Sequence, residues 1–237
     1  MLECYTIITG GGTGDRMNAA IPKQFLPLGK WTVIMRTMQQ VAAVCDNIFV
    51  VLPESYFDFW KNLQQEYNFS IPHTLVKGGA TRFSSVKNAM QFLPDTGLVA
   101  IHDAVRPLAS KRFIQSAFYA ANKHGNAVAA LPVTDSLRMV DGDINKNVDR
   151  NLFYRMQTPQ VFRCSEIKEA YQQYYQPHFT DDASVFEAFG GKIHLIKGEE
   201  QNIKMTKPLD LYLAESLINT NKNAKIKKIK NNVNVWI

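Results

Sequence analysis

Near the N-terminus the stretch Gly10-Gly11-Gly12-Thr13-Gly14-Asp15-Arg16-Met17 follows a β-branched run and leads on to Pro22-Lys23-Gln24. Glycines at Gly10, Gly11, Gly12 and Gly14 let backbone N–H groups approach a polyanion closely. Arg16 and Lys23 place two cations just beyond. A triphosphate asks for this combination: amides along the phosphate chain and cations at the reacting phosphorus. Two familiar templates fail. Met17 stands where the dinucleotide fingerprint needs its third glycine, and the chain has no Gly-Lys-Ser/Thr of a P-loop. A glycine-rich turn after a strand is often mere geometry, but the cations at this spacing favour function.

Asp103 closes another apolar run and is followed by Ala104-Val105-Arg106-Pro107. A carboxylate at a strand's carboxyl end suits magnesium or a sugar hydroxyl; it also reads as a helix or turn cap. His102 has no nucleophile to pair with and reads as structural. Thr180-Asp181-Asp182 reads as a helix start, with an N-cap followed by acids.

The elements that must position these groups alternate. Strands are predicted at Tyr5–Thr9, Ile48–Leu52, Thr74–Val76, Leu98–His102, Ala127–Leu131 and Ile193–Ile196. Between them, Ile34, Met38, Val41 and Ala42 share one helical face, as do Tyr56, Trp60, Leu63 and Tyr67. Phe113, Ala117, Phe118 and Ala121 do the same before Gly125. Such alternation forces parallel pairing and an α/β sheet covered on both faces, with ligands at the carboxyl ends of the strands. Ser136–Val148 breaks the pattern as a hairpin centred on Asp141-Gly142. Alone it is marginal, so it must lie on the domain or on another subunit.

The 237 residues are 46% hydrophobic and 20% charged, an ordinary globular balance for one to two domains. No apolar run approaches the roughly 18 residues of a membrane span. Glu3 and the early Gly10 speak against a signal peptide. Cys4, Cys45 and Cys164 form no CxxC, which fits inert thiols in a reducing cytoplasm. The net charge of +6 is a tail property. Lys222, Lys225, Lys227, Lys228 and Lys230 fall in an Asn-rich stretch without acids, leaving 22 basic and 21 acidic residues before it. That tail, 218–237, reads as a solvated or frayed extension, or as an accessory contact with an acidic surface.

Further motifs accompany the glycine loop and Pro22-Lys23-Gln24-Phe25. They are Gly78-Gly79-Ala80-Thr81-Arg82 with Ser85, His102-Asp103-Ala104-Val105-Arg106-Pro107, and Val148-Asp149-Arg150-Asn151. Gln157-Thr158-Pro159-Gln160, Phe179-Thr180-Asp181-Asp182-Ala183-Ser184 and Asn202-Ile203-Lys204-Met205-Thr206 complete the set. Together they resemble the sugar-phosphate nucleotidyltransferases, specifically the cytidylyltransferase family acting on 2-C-methyl-D-erythritol 4-phosphate, up to about Leu217. The resemblance implies a Rossmann-like, mostly parallel sheet with helices on both faces, of nucleotide-diphospho-sugar transferase type, plus a protruding β-hairpin arm. It implies one domain over residues 1–217, with the arm at about 134–157. The implied reaction joins CTP and a polyol phosphate with Mg2+, in a cytoplasmic homodimer that binds neither membrane nor nucleic acid. Arg16, Lys23, Lys204 and Arg150 match its catalytic residues. Gly10, Gly11, Gly12, Thr13, Gly14, Gly79, Ala80, Ser85 and Asp103 match its nucleotide site, Asp103 also its metal ligand. Asp103, Arg106, Ser136, Arg150, Thr158, Thr180 and Lys204 match its polyol-phosphate site. Position 136 carries serine where the family commonly has threonine. Arg82 either supports its loop or touches ligand. The implied arm delivers Arg106, Ser136 and Arg150 to a neighbouring subunit, while Thr158, Thr180 and Lys204 serve their own chain. A cytidylyltransferase for ribitol 5-phosphate, and a nucleic-acid-binding or interaction protein using the basic tail, are the rival readings.

Overall fold

The computed structural model describes residues 3–12 and 21–233, with 221–233 as backbone only. The chain runs β1 (Cys4–Thr9), β2 (Pro27–Leu28), β3 (Trp31–Thr32), α1 (Val33–Ala42), β4 (Asn47–Leu52), α2 (Phe57–Glu66), β5 (Thr74–Lys77), α3 (Arg82–Met90) and β6 (Leu98–Asp103). It continues through α4 (Lys111–His124), β7 (Asn126–Pro132), β8 (Leu137–Asp141), β9 (Ile144–Val148), β10 (Tyr154–Arg163), α5 (Cys164–Ala170), α6 (Asp182–Ala188), β11 (Leu195–Lys197) and α7 (Pro208–Val233).

The main sheet has the order β11-β7-β10-β6-β1-β4-β5. β1 pairs in parallel with β4 and β6, β4 with β5, and β7 with β11. Every residue of β6 is buried, as expected of a central strand covered on both faces. One face packs Met38 and Val41 of α1, Trp60 of α2 and Phe113 and Ala117 of α4. The other packs Phe83 and Val86 of α3, Ile167 of α5 and Phe186 of α6. Gly125 ends α4 at φ 90°, a conformation glycine adopts without Cβ strain. These features bear out the expected mostly parallel α/β sheet with helices on both faces.

Strand β10 departs from the expected set. It lies antiparallel between β6 and β7, and the run Gln157-Thr158-Pro159-Gln160 inside it argues against a central strand. The ladder accommodates that run by shifting register between Met156 and Gln160, so Gln157, Thr158 and Pro159 sit at the irregularity. The hairpin β8–β9 forms a separate two-stranded sheet, with Asp141 opposite Ile144. Its loop is therefore Gly142-Asp143, one residue past the expected centre, with Gly142 at φ 55°. Helix α7 runs on to Val233, across the boundary expected at 217 and into the basic tail. Residues 234–237 lie outside the described residues.

An aromatic cluster fixes the turn that carries Lys23. Phe25, 1% exposed, meets Tyr56, Phe59 and Trp60 at ring-centroid distances of 5.7, 5.1 and 6.3 Å. Replacing Phe25 with alanine leaves a cavity among those rings and is expected to cost about 3–5 kcal/mol in urea unfolding. A loss under about 1 kcal/mol would show that the cluster does not hold this turn.

Candidate active site

The site is built where β1, β4, β5 and β6 end. Gly10 continues β1: its N–H donates to the Val51 carbonyl at 2.9 Å, and its own carbonyl accepts from Gln24 Nε2 at 2.7 Å. A Cβ there would meet Leu52 Cδ2 at 2.7 Å, so any larger residue would make that side chain shift. At Gly12 nothing lies within 4 Å of such a Cβ; Gly11 and Gly12 are exposed and border the cleft. Opposite them, Ser85 Oγ accepts from the Gly79 N–H at 3.0 Å. Thr81 and Ser84 close a capping box that starts α3.

Gly10, Gly11, Gly12, Lys23, Gly79, Ala80, Arg82, Ser85, Asp103 and Lys204 line a single cleft of about 290 Å³. Thr9, Gln24, Thr81 and Val105 complete it. Thr13, Gly14 and Arg16 lie outside the described residues. A second pocket of about 200 Å³ is lined by Arg106, Gln157, Thr158, Gln160 and Thr180, together with Arg82, Asp103 and Lys204 from the first. Those three shared residues form the seam between the pockets.

Charge concentrates at the seam. Lys204 Nζ and Arg106 Nε each lie 3.1 Å from Asp103 Oδ2. Burial alone would raise the Asp103 pKa, but Lys204, Arg82 and Arg106 outweigh it and hold the carboxyl far below its ordinary range. Arg82 is gripped from behind by Asp182, at 2.8 and 2.6 Å through both guanidinium nitrogens. Asp182 is fully buried and also accepts from the Tyr171 hydroxyl at 2.6 Å. Arg82 thus braces its loop against α6 while its side chain stays 29% exposed in the cleft.

Asp181, not Thr180, caps α6, accepting from Ser184 N at 2.9 Å. The Thr180 hydroxyl is not spent on the cap, and Thr180 lines the second pocket. Arg106 does not travel with the arm as expected. It is 8% exposed, paired to Asp103 and donating to the Asn202 carbonyl at 2.8 Å within its own chain. With a third bond from Nη2 to the Met156 carbonyl at 3.4 Å, the guanidinium is held at the floor of its own chain's cleft. Ser136 and Arg150 are not brought to the cleft either. They share a shallow depression of about 320 Å³ on the arm, where Arg150 donates to the Thr134 carbonyl.

Sequence reasoning missed the supports. Gln24, Asp182, Tyr171, Gln157, Gln160 and Asn202 act through contacts with residues distant in the chain, which spacing does not encode; all but Tyr171 lie within the motifs, and nothing in the sequence pointed to Tyr171. Cys45 and Cys164 are buried, and burial pushes their thiols up to about 11 and about 12, consistent with inert side chains.

A glycine cradle at the carboxyl edge of an α/β sheet, sharing its cations with a second pocket, is the layout of a nucleotidyltransferase. The chain belongs to the 2-C-methyl-D-erythritol 4-phosphate cytidylyltransferase (IspD) family, whose model matches residues 4–220. Curated relatives of that name include one from Porphyromonas gingivalis, 46% identical over 215 residues that cover 90% of this chain and 97% of the relative. One from Phocaeicola vulgatus is 43% identical over 90% of this chain and 99% of its own. The crystal structure of the Thermus thermophilus enzyme superposes with a TM-score of 0.74 at 30% identity, covering 91% of this chain and 98% of that one.

His102 lies under the seam, fully buried, with Nδ1 2.9 Å from the Thr158 hydroxyl. Burial is the main cause that pushes its pKa down to about 4 from 6.5. Between those values the unfolded chain binds a proton that the native protein refuses, so stability falls as pH drops through this window. The slope is at most about 1.4 kcal/mol per pH unit. Asp103 acts in the same direction only below its ordinary 3.8. Urea midpoints from pH 6.5 to 4.5 are expected to fall less steeply for His102→Gln than for the parent. His73, also depressed by burial, is common to both proteins. Equal slopes would refute a neutral buried His102.

Proposed function

We propose that this protein transfers a cytidylyl group from CTP to 2-C-methyl-D-erythritol 4-phosphate, giving 4-diphosphocytidyl-2-C-methyl-D-erythritol and pyrophosphate, in isoprenoid precursor synthesis. The observation that carries this reading is the pair of pockets joined at Arg82, Asp103 and Lys204. One pocket has a glycine cradle suited to a triphosphate; the other has arginine and hydroxyl groups suited to a phosphorylated polyol. A substrate phosphate oxygen attacks the α-phosphorus, the bond from that phosphorus to the bridging oxygen breaks, and pyrophosphate leaves. No general base is needed, because a phosphate monoester is already largely a dianion near pH 7.

Gly10, Gly11 and Gly12, continued by Thr13 and Gly14, cradle the triphosphate. Gly79, Ala80 and Ser85 line the nucleoside. Lys23 and Arg16 stabilise charge growing on the α-phosphoryl oxygens. Lys204 holds the incoming phosphate at the seam, with Arg106, Thr158 and Thr180 around the polyol. Asp103 would be the one protein carboxylate offered to Mg2+, sharing the ion with triphosphate oxygens and water; its Oδ2 is already held by Lys204 and Arg106, and no group of three His, Cys, Asp or Glu among the described residues would hold an ion unaided. Bound there, Mg2+ would neutralise phosphate charge. No described helix is long and apolar enough to cross a membrane, and the inert thiols suit a cytoplasmic enzyme.

The reading includes a homodimer. On the arm Met139, Val140 and Ile144 are 46, 68 and 68% exposed, and a bare hairpin of that kind needs cover. A second copy would supply it and receive Ser136 and Arg150 at its own second pocket.

Lys23→Ala is expected to lower kcat about 10²-fold or more with a smaller change in KM for CTP. A kcat within about threefold of the parent would remove Lys23 from the mechanism. Turnover of CTP with a panel of alditol phosphates tests the acceptor, and preference for ribitol 5-phosphate would overturn it. The shared site is tested by mixing Arg150→Ala and Lys23→Ala chains. Each homodimer should be nearly dead, while statistical co-refolding should restore about a quarter of parent activity, because half the dimers contain one intact site. No recovery in verified heterodimers would confine the arm to its own chain.

A further inference from the structure

The strap from Gly198 to Met205 carries Lys204 from β11 to α7 across the cleft, and it has no secondary structure of its own to hold it. At its start Gly198 N donates to the Ala130 carbonyl at 2.8 Å, and Ser110 donates through N and Oγ to the Glu199 carboxylate at 2.9 and 2.6 Å; beyond that point two amide side chains hold it. Gln157 clips the strap as a β-strand partner would: its Oε1 accepts from Glu199 N at 3.1 Å, and its Nε2 donates to the Glu199 carbonyl at 2.9 Å and the Asn202 carbonyl at 3.3 Å. The fit is close, since a Cβ on Gly198 would lie 3.1 Å from Gln157 Cδ. Asn202, fully buried, donates through Nδ2 to the Thr158 carbonyl at 2.8 Å, while its own carbonyl takes Arg106 Nη1. On the far side of Lys204, Met205 N donates to the Val105 carbonyl at 2.9 Å. Gln157 borders the second pocket, yet both ends of its amide are committed to the strap rather than to anything bound there.

We propose that Gln157 and Asn202 are positioning residues for Lys204, fixing the strap so that the ammonium stays at the seam beside Asp103. This rests on the role given to Lys204 above. Lys204 is 43% exposed and has a long flexible stem, so Asp103 alone does not fix where its backbone lies. The strap must, and a displacement of about 1 Å costs on the order of 10²-fold in an oriented reaction.

A kinetic double-mutant cycle between Gln157→Leu and Lys204→Ala separates positioning from general support. Gln157→Leu should lower kcat about tenfold or more with KM for CTP within about twofold, because Gln157 itself does not line the nucleotide cleft. In the Lys204→Ala background the same change should cost less than about threefold, since the group it positions is gone. Asn202→Ala should behave alike. If Gln157→Leu fails to fold by circular dichroism, Gln157→Glu replaces it: nearly isosteric, it keeps the acceptor for Glu199 N and loses the donor. Equal losses in both backgrounds, or an unchanged kcat in the Gln157 and Asn202 variants, would overturn the proposal. Unchanged turnover in Lys204→Ala alone would instead overturn the role of Lys204.

Discussion

Lys204, Arg82 and Arg106 converge on one carboxylate, that of Asp103, at the carboxyl end of the most deeply buried strand. Cations crowded this closely in a partly desolvated cleft repel one another, and each would also lose hydration. Asp103 offsets both costs before any substrate arrives. Its depressed pKa expresses the same fact: the native protein strongly favours the ionised carboxylate there. Asp103 can therefore keep these cations in place while the cleft is empty.

The fold supplies the place. Parallel strands β1, β4, β5 and β6 all end at one edge, so the glycine turn after β1 and the loop after β5 face each other across the cleft. The antiparallel insertion of β10 beside β6 brings in the second pocket. Because the ladder slips between Met156 and Gln160, Gln157 and Thr158 have side chains free to work at the cleft floor. Thr158 hydrogen-bonds both His102 and the Asp103 N–H, which ties the irregular strand to the strand that bears the central carboxylate.

Much of this was legible beforehand. The parallel strands declared themselves as short β-branched runs, and the helices as periodic faces, because both patterns arise from burial on known sides. The glycine loop, Asp103 and Lys204 were legible as motif members. β10 was not, because its proline and amides read as a loop; only the register shift makes them compatible with a central strand. The place of Arg106 within its own chain was not legible either. Nothing in Ala104-Val105-Arg106-Pro107 tells that the guanidinium turns inward to Asp103 and Asn202 rather than outward with the arm. Arg82 stood undecided because its partner Asp182 lies a hundred residues away, and pairing across that separation leaves no local trace.

The arm then poses a different physical problem from the cleft. Residues around Asp103 are fixed by burial and multiple bonds, whereas Ser136 and Arg150 stand exposed beside the ends of a two-stranded sheet that shares no strand with the main one. Within one chain the second pocket has Arg82, already held by Asp182, and two cations paired to Asp103, namely Arg106 and the Lys204 shared with the nucleotide side. A dianionic acceptor entering it would compete with Asp103 for both cations. A further guanidinium from outside would relieve that competition, letting the acceptor phosphate be held without stripping Asp103 of its partners. Arg150 has the right chemistry, and the uncovered apolar residues beside it on the arm give a second copy reason to dock where the arginine would be useful. The electrostatic shortfall of the cleft and the hydrophobic surplus of the arm would both be resolved by the proposed association.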